Sequence, residues 1–320
     1  MRSRDVPAAA AETRTIDLLT DIATRYYLQN ESQVDIARVL RLDPSTVSRS
    51  LKRAREEGIV HVEIRPPRRH RVDLGRELAA RFGLARVIVA PGGEDDLDSL
   101  GAVAAGYIES LLRSDMRLGV SWGRTLGAVV RHLRPGTVSN LRIAQLAGGM
   151  DDPTPGIQGH ELVRALADLY PDSRVHYVHA PAIVASLEVG RAFLGDRTVR
   201  SALDTGSASE LALVGVGAMD VGATLVRGGH VSADDWAALM RAGAVGNVNA
   251  RFFNANGTPA GALDKRTIAL DWKALRAIPT VIAVAAGADK ARAIEAALRG
   301  GFVNVLVTDE TTATLVMAGT

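Results

Sequence analysis

Seven short apolar runs, at 86–90, 117–120, 141–146, 174–178, 211–216, 280–285 and 303–308, set the architecture of most of this 320-residue chain. Stretches such as VIVA, LALVGV and VIAVA within them are apolar through and through, so neither of their faces is built to meet water. Between them lie segments of helical periodicity at 97–112, 124–133, 159–169, 234–241 and 289–299. Strands apolar on both faces and separated by helices indicate a largely parallel sheet sandwiched between helical layers. The expectation for 72–320 is therefore a Rossmann-like α/β domain, in which ligands sit at the carboxyl ends of the strands.

The chain before residue 72 is written differently. Over 32–58, SQVDIARVLRLDPSTVSRSLKRAREEG, two helical runs each carry a start signal. Ser32 with Asp35 three residues on is a variant capping box, and Val34, Ile36, Ala37, Val39 and Leu40 give the first helix an apolar stripe. Asp43 as N-cap and Pro44 in the first turn start the second, and Gly58 ends it. Val47, Leu51 and Ala54 point inward, leaving Ser45, Thr46, Ser48, Arg49, Lys52 and Arg53 outward. That outward set suits a recognition helix, whose first turns reach base edges and whose later cations meet phosphates. A plain helical hairpin with a solvated basic face would carry the same spacing. From Arg49 to Arg71 eight basic residues stand against three acidic ones, although the whole chain has a formal net charge of only +2.

Around this motif, residues 1–12 read as a loose tail and 13–28 as a supporting helix, with Ile16, Leu19, Ile22, Ala23 and Tyr26 at helical spacing and Tyr27 packed alongside. The alternating run IVHVEI after Gly58 reads as a short strand, a candidate wing, stopped by Pro66 and Pro67. The expected organisation is a helix-turn-helix domain over 1–65, a stiff basic linker over 66–71, and the α/β domain over 72–320. The tract PPRRHR either contacts phosphates or is a solvated connector. The absence of cysteine excludes disulfides and thiolate metal sites. With no signal-peptide core and no apolar run near the roughly 20 residues of a membrane span, the expectation is a soluble, cytoplasmic protein without a membrane partner.

The clearest chemistry lies at Gly119-Val120-Ser121-Trp122-Gly123-Arg124-Thr125, between a strand and a helix. Glycines permit close approach, a helix start favours an anion, and Ser121, Arg124 and Thr125 add donors, so a phosphate fits. GVSWG also matches the G-x-S-x-G nucleophile elbow, but no oxyanion segment precedes it and the histidines lack a catalytic setting. Gly215-Val216-Gly217-Ala218-Met219-Asp220 has Asp220 where a dinucleotide fingerprint needs a third glycine, and no Walker A sequence is present, so no cofactor is expected. His176 and His179 form H-x-x-H without the glutamate or helix of a metalloprotease; no metal is expected. The stretch holding Asn247, Asn249, Arg251, Asn254 and Asn256 suits either hydroxyl binding or a hairpin. Lys290, Asp309 and Glu310 read either as pocket polars or as caps.

The segments SQVDIARVLRLDPSTVSRSLKRAREEGIV, GVSWGRTL, LVGVGAMD, GAVGNVNARFFNANG and IPTVIAVAAGADKARAIEAALRGGFVNVLVTDE occur in an order that resembles the SorC family of sugar-responsive bacterial transcription regulators, with a DeoR-like effector domain. The resemblance implies an effector domain related to ribose-5-phosphate isomerase and glucosamine-6-phosphate deaminase, a phosphorylated sugar or polyol as effector, operator DNA as partner, and dimers assembling into tetramers. It places Ser121, Gly123, Arg124 and Thr125 on the phosphate, and Gly217, Asn247, Lys290, Asp309 and Glu310 around the sugar. Family members often read GDICGRFF where this chain has Asn247, which removes a candidate general base and argues against catalysis. The expectation is a regulator of a carbohydrate or polyol catabolic operon and not an enzyme; the rival is a sugar-phosphate isomerase or deaminase with an accessory DNA-binding domain.

Overall fold

The computed structural model describes residues 6–29, 31–60, 68–93, 96–150, 158–220, 225 and 229–319, with backbone alone for 6–14 and 68–70. The chain divides into two compact units, Met1–Pro66 and Pro67–Thr320.

The first unit is built from helices α1 (Val6–Tyr27), α2 (Gln33–Leu40) and α3 (Pro44–Glu56). Helix α1 starts earlier than the tail-and-helix reading allowed, because the Ala8–Ala11 run has the highest helix propensity of any residue type. Leu19, Ile22 and Ala23 of α1 pack with Ile36, Ala37, Val47, Leu51 and Ala54 in one small core. Val34 and Val39 leave the expected stripe: they are 55% and 58% exposed, because an eight-residue helix buries only the face toward its two neighbours. Ser32 caps α2, its Oγ accepting from the Asp35 amide at 3.1 Å and donating to Asp35 Oδ2 at 2.6 Å. Asp43 occupies the N-cap position of α3 without a side-chain cap bond, so Pro44 carries the start signal there. The candidate wing falls mainly on 61–64, outside the described residues.

The tract expected as a linker is helical from Arg68: α4 (Arg68–Phe82) opens directly after the two prolines, which suit a helix entry as well as they stop what precedes it. Leu74 and Leu78 bury α4 against the sheet of the second unit. The seven predicted strands all form, as β1 (Arg86–Ala90), β2 (Arg117–Val120), β3 (Arg142–Gln145), β4 (Arg174–His176), β5 (Leu211–Val214), and two later strands, β9 (Thr280–Val284) and β10 (Val305–Asp309). They pair in parallel in the order β1-β10-β9-β5-β2-β3-β4.

Successive side chains divide between the faces, as the pleat requires. Leu211 and Leu213 of β5 enter the core beneath α5 (Leu97–Leu111), α6 (Arg124–His132) and α7 (Gly159–Leu169). Ala212 and Val214 enter the opposite core, beneath α4, α11 (Trp272–Ala277), α12 (Ala291–Arg299) and α13 (Glu310–Ala318). The sequence leaves α8 (Leu187–Gly195) and α9 (Arg197–Ser207) between β4 and β5. Beyond β5 a small antiparallel sheet adds β6 (Gly217–Ala218), β7 (Ala244–Val248) and β8 (Arg251–Asn254), with α10 (Ala233–Arg241) before β7. The Asn-rich stretch is thus a hairpin, turned at Asn249 and Ala250, both at positive φ.

The strand order defines where a ligand belongs. From β2 the chain proceeds outward through β3 and β4, then returns to lay β5 on the other side of β2 and proceeds to β9 and β10. This reversal is a topological switch point, and the crevice outside the carboxyl ends there is the natural binding place of an open α/β sheet.

Candidate functional site

Four neighbouring strands, β10, β9, β5 and β2, deliver the loops on which the effector residues were expected. The loop after β2 holds Ser121, buried at 2% exposure, whose amide donates to Leu213 O and so ties it to β5. Gly123 is the N-cap of α6 at φ 127°, a backbone state that side chains rarely adopt, and a Cβ there would meet nothing within 4 Å. The start of α6 therefore opens on free space with no side-chain cap on its first amides. Arg124 projects from that start, exposed and without an ion pair among the described residues.

Thr125 is buried and its Oγ1 donates to Val284 O of β9 at 2.8 Å. Its hydroxyl hydrogen is committed to the scaffold, so what Thr125 can offer an anion is its backbone amide. The loop after β5 approaches from one side: a Cβ on Gly215 would stand 3.6 Å from Trp122 O. Gly217 pairs with Asn247 across β6 and β7, and a Cβ on Gly217 would fall 2.5 Å from Asn247 Nδ2, so glycine is what lets that buried amide sit there.

The loop after β9 brings in Lys290, half-buried in a short 3-10 turn and with no ion pair among the described residues. Burial pushes its ammonium below the ordinary lysine range; Asp289 opposes this, Arg124 reinforces it and Asp309 opposes it. Asp309, expected beside the sugar, caps α13: Oδ1 accepts from the Thr312 amide at 2.8 Å, and Oδ2 accepts from Thr312 Oγ1 at 2.5 Å and from the Gly287 amide at 3.2 Å. At 2% exposure it is a brace between two loops. Glu310 forms an ion pair with Arg71 of α4 at 3.8 Å.

Two further groups lie outside the set that the resemblance placed on the ligand, although Asn249 belongs to the stretch read as suited to hydroxyl binding. Trp122 Nε1 and both amide atoms of Asn249 are buried without a hydrogen-bond partner among the described residues. Each such group costs about 1–3 kcal/mol unless something pairs with it. Their legible signal was position alone, in a strand-end loop and an Asn-rich turn. The nucleophile-elbow reading fails on geometry: Ser121 is buried and bonds to no histidine among the described residues. No cluster of metal-ligating side chains occurs among the described residues either, and His176 and His179 sit apart from these loops, on and just after β4.

In the first unit, α3 presents Ser45, Ser48, Arg49, Lys52 and Arg53 to solvent, with Thr46 half-buried. Arg49 Nε donates to Ser45 O at 3.2 Å, Lys52 lies 3.7 Å from Glu56, and Arg53 bonds Glu57 at 2.6 Å. The exposed cations are thus lined up by their own helix and held only by surface contacts.

Residues 67–318 match the family described as "Putative sugar-binding domain", and residues 23–71 match a helix-turn-helix domain. Over 304 residues the chain is 31% identical to the deoxyribonucleoside regulator of Bacillus subtilis (strain 168), covering 92% of this chain and 96% of that protein. It is 32% identical over 309 residues to the transcriptional regulator LsrR of Klebsiella pneumoniae, covering 94% of this chain and 93% of that protein. The full-length sorbitol operon regulator SorC from Klebsiella pneumoniae has a matching structure, with a TM-score of 0.72 at 26% identity over 94% of this chain and 99% of that one. The chain belongs to the SorC family of transcriptional regulators. As a SorC-family member it combines a helix-turn-helix unit with a sugar-binding α/β unit, and it is a regulator and not a sugar-phosphate isomerase or deaminase. No helix among its described residues is long and apolar enough to cross a membrane.

Proposed function

We propose that this regulator controls a carbohydrate or polyol catabolic operon in the cytoplasm by binding a phosphorylated sugar or polyol at the carboxyl ends of β10, β9, β5 and β2. One observation carries the reading: the uncapped start of α6 and two cations without ion pairs, Arg124 and Lys290, converge where the sheet reverses its winding. A helix start and fixed cations favour a dianion. The amides after Gly123, with Arg124 and Ser121, hold the phosphate; Thr125 joins them by its backbone amide. Asn247, Lys290 and Glu310 meet the hydroxyls, Gly217 makes room for Asn247, and Asp309 fixes the loops. Trp122 Nε1 and Asn249 gain the partners they lack among the described residues.

On the DNA side, Ser45, Thr46, Ser48 and Arg49 read base edges while Lys52 and Arg53 meet phosphates. The protein works as a dimer or tetramer, whose paired recognition helices need half-sites about 34 Å or a multiple apart, so a small rotation of subunits changes affinity. The names of the relatives, a deoxyribonucleoside regulator and a sorbitol operon regulator, support a sugar or polyol as the signal.

A thermal-shift panel of sugar and polyol phosphates, each beside its unphosphorylated form, tests the ligand assignment. At 100 times its Kd the effector stabilises the protein by about 2.7 kcal/mol. A phosphorylated compound is expected to stand out; a response confined to unphosphorylated compounds would remove the phosphate from the reading.

A further inference from the structure

The sheet carries a second cationic site at its other end. Arg117, Arg142 and Arg174 are the first residues of β2, β3 and β4, and they are register partners across three adjacent parallel strands. Neighbouring strands lie about 4.8 Å apart, so three guanidinium stems leave the sheet within about 10 Å of one another. Like charges set directly opposite on a sheet are destabilising. Helix α9 packs over these strands and adds Arg197 and Arg200. Together the five arginines line a groove of about 710 Å³, a volume typical of small-molecule sites.

Neutralisation is incomplete. Arg117 is held by Ala208 O and, at 3.9 Å, by Glu210, while Arg142, Arg174, Arg197 and Arg200 have no ion pair among the described residues. Among the described residues Asp204 is the one carboxylate on the groove wall, against five guanidinium groups. The field is felt locally: His176, two residues along β4 from Arg174, is pushed below the ordinary histidine range by burial and then by Arg142 and Arg174.

We propose that this groove binds a small anion bearing several linked phosphates, of the size and charge of a nucleoside triphosphate, independently of the effector loops. With Asp204 and Glu210 set against the five arginines, a surplus of three positive charges approaches the charge of a triphosphate near neutral pH, and Arg pairs with phosphate oxygens through two parallel bonds. A single phosphate would occupy two of the arginines and leave the rest facing one another.

Isothermal titration of the full chain with inorganic tripolyphosphate, ATP and orthophosphate tests this. Tripolyphosphate and ATP are expected to bind at least a hundredfold more tightly than orthophosphate. Arg142→Ala with Arg174→Ala is expected to weaken tripolyphosphate at least tenfold without lowering the melting temperature, since like-charged neighbours are removed. Arg200→Ala, on the exposed side of α9, should weaken it too, whereas Arg124→Ala should leave it within twofold. Absence of tripolyphosphate binding overturns the proposal, as does equal loss in the Arg124→Ala protein, which would place the anion in the effector loops. If the double variant instead flattens the salt dependence of operator affinity while tripolyphosphate fails to bind, the phosphates are those of DNA and the small-anion proposal is wrong.

Discussion

Burial, reinforced by Arg124 and opposed by Asp289 and Asp309, makes the Lys290 ammonium titrate below the ordinary lysine range. In the free protein the resulting penalty is fully present at pH below this lowered value. It is relieved as pH rises from there toward the ordinary lysine value, so Lys290 makes the ligand-free fold more stable across that alkaline window. A bound phosphate reverses the preference by favouring the ammonium. Calorimetry in buffers of different ionisation enthalpy is expected to show proton uptake on effector binding in this window, with affinity falling as pH rises through it. Lys290→Met should abolish the uptake; uptake that persists unchanged in the variant would place the titrating group elsewhere. Ser121, Gly123, Arg124 and Lys290 could be nominated as candidates because glycines, a helix start and cations form a local pattern. The scaffold bonds of Thr125 and Asp309 were not legible, because each is decided by a remote partner: Thr125 by Val284, 159 residues away, and Asp309 in part by Gly287 on another loop.

At the scale of elements, α3 was readable nearly residue by residue because its buried set, Val47, Leu51 and Ala54, repeats at helical spacing and faces one small core. In α2 the pattern misled, since Val34 and Val39 are apolar yet have no second layer to cover them. Arg49→Ala is expected to weaken specific operator binding by about 1–3 kcal/mol and to relax base preference at one position, with effector affinity unchanged. Fluorescence anisotropy on matched and mutated operators checks this, and an equal loss on all sequences would make Arg49 a phosphate contact. Helix α4 is the first element after the boundary at Pro66–Pro67, and its Arg71 is ion-paired to Glu310, next in sequence to the loop brace Asp309. That pair gives the effector loops a grip on the helix nearest in sequence to the DNA-binding unit. Arg71→Ala should leave sugar-phosphate affinity within about threefold while reducing the change in operator affinity that the effector produces. Allosteric couplings are commonly about 1–3 kcal/mol, and an undiminished coupling in the variant would exclude this route.

For the whole molecule, the strands of the large sheet were legible because the central ones are buried on both faces and so carry near-continuous apolar runs, such as LALV in β5 and VIAV in β9. The small sheet was legible in part: the Asn-rich stretch offered the β7–β8 hairpin as one of two readings, whereas β6 is a Gly-Ala pair that signals a turn more strongly than a strand. The order of the strands was also beyond reach, as it depends on which edges meet and not on what any one strand contains. The reversal between β2 and β5 is what sets the loops of the proposed site side by side.

In the proposed site that arrangement makes the effector a non-covalent knot in the chain. As proposed, it gathers segments that begin at Ser121 and end at Glu310, so it closes loops that together span most of the α/β unit. Continuity of the chain at the carboxyl-end loops should then matter far more than continuity elsewhere. A circular permutant opened in the exposed Arg134–Thr137 connection, at the amino end of β3, is expected to retain effector-induced stabilisation in thermal unfolding. One opened between Trp122 and Gly123 should fold with the stabilisation lost, because the ligand would have only a frayed end to hold where it now fastens two strands together.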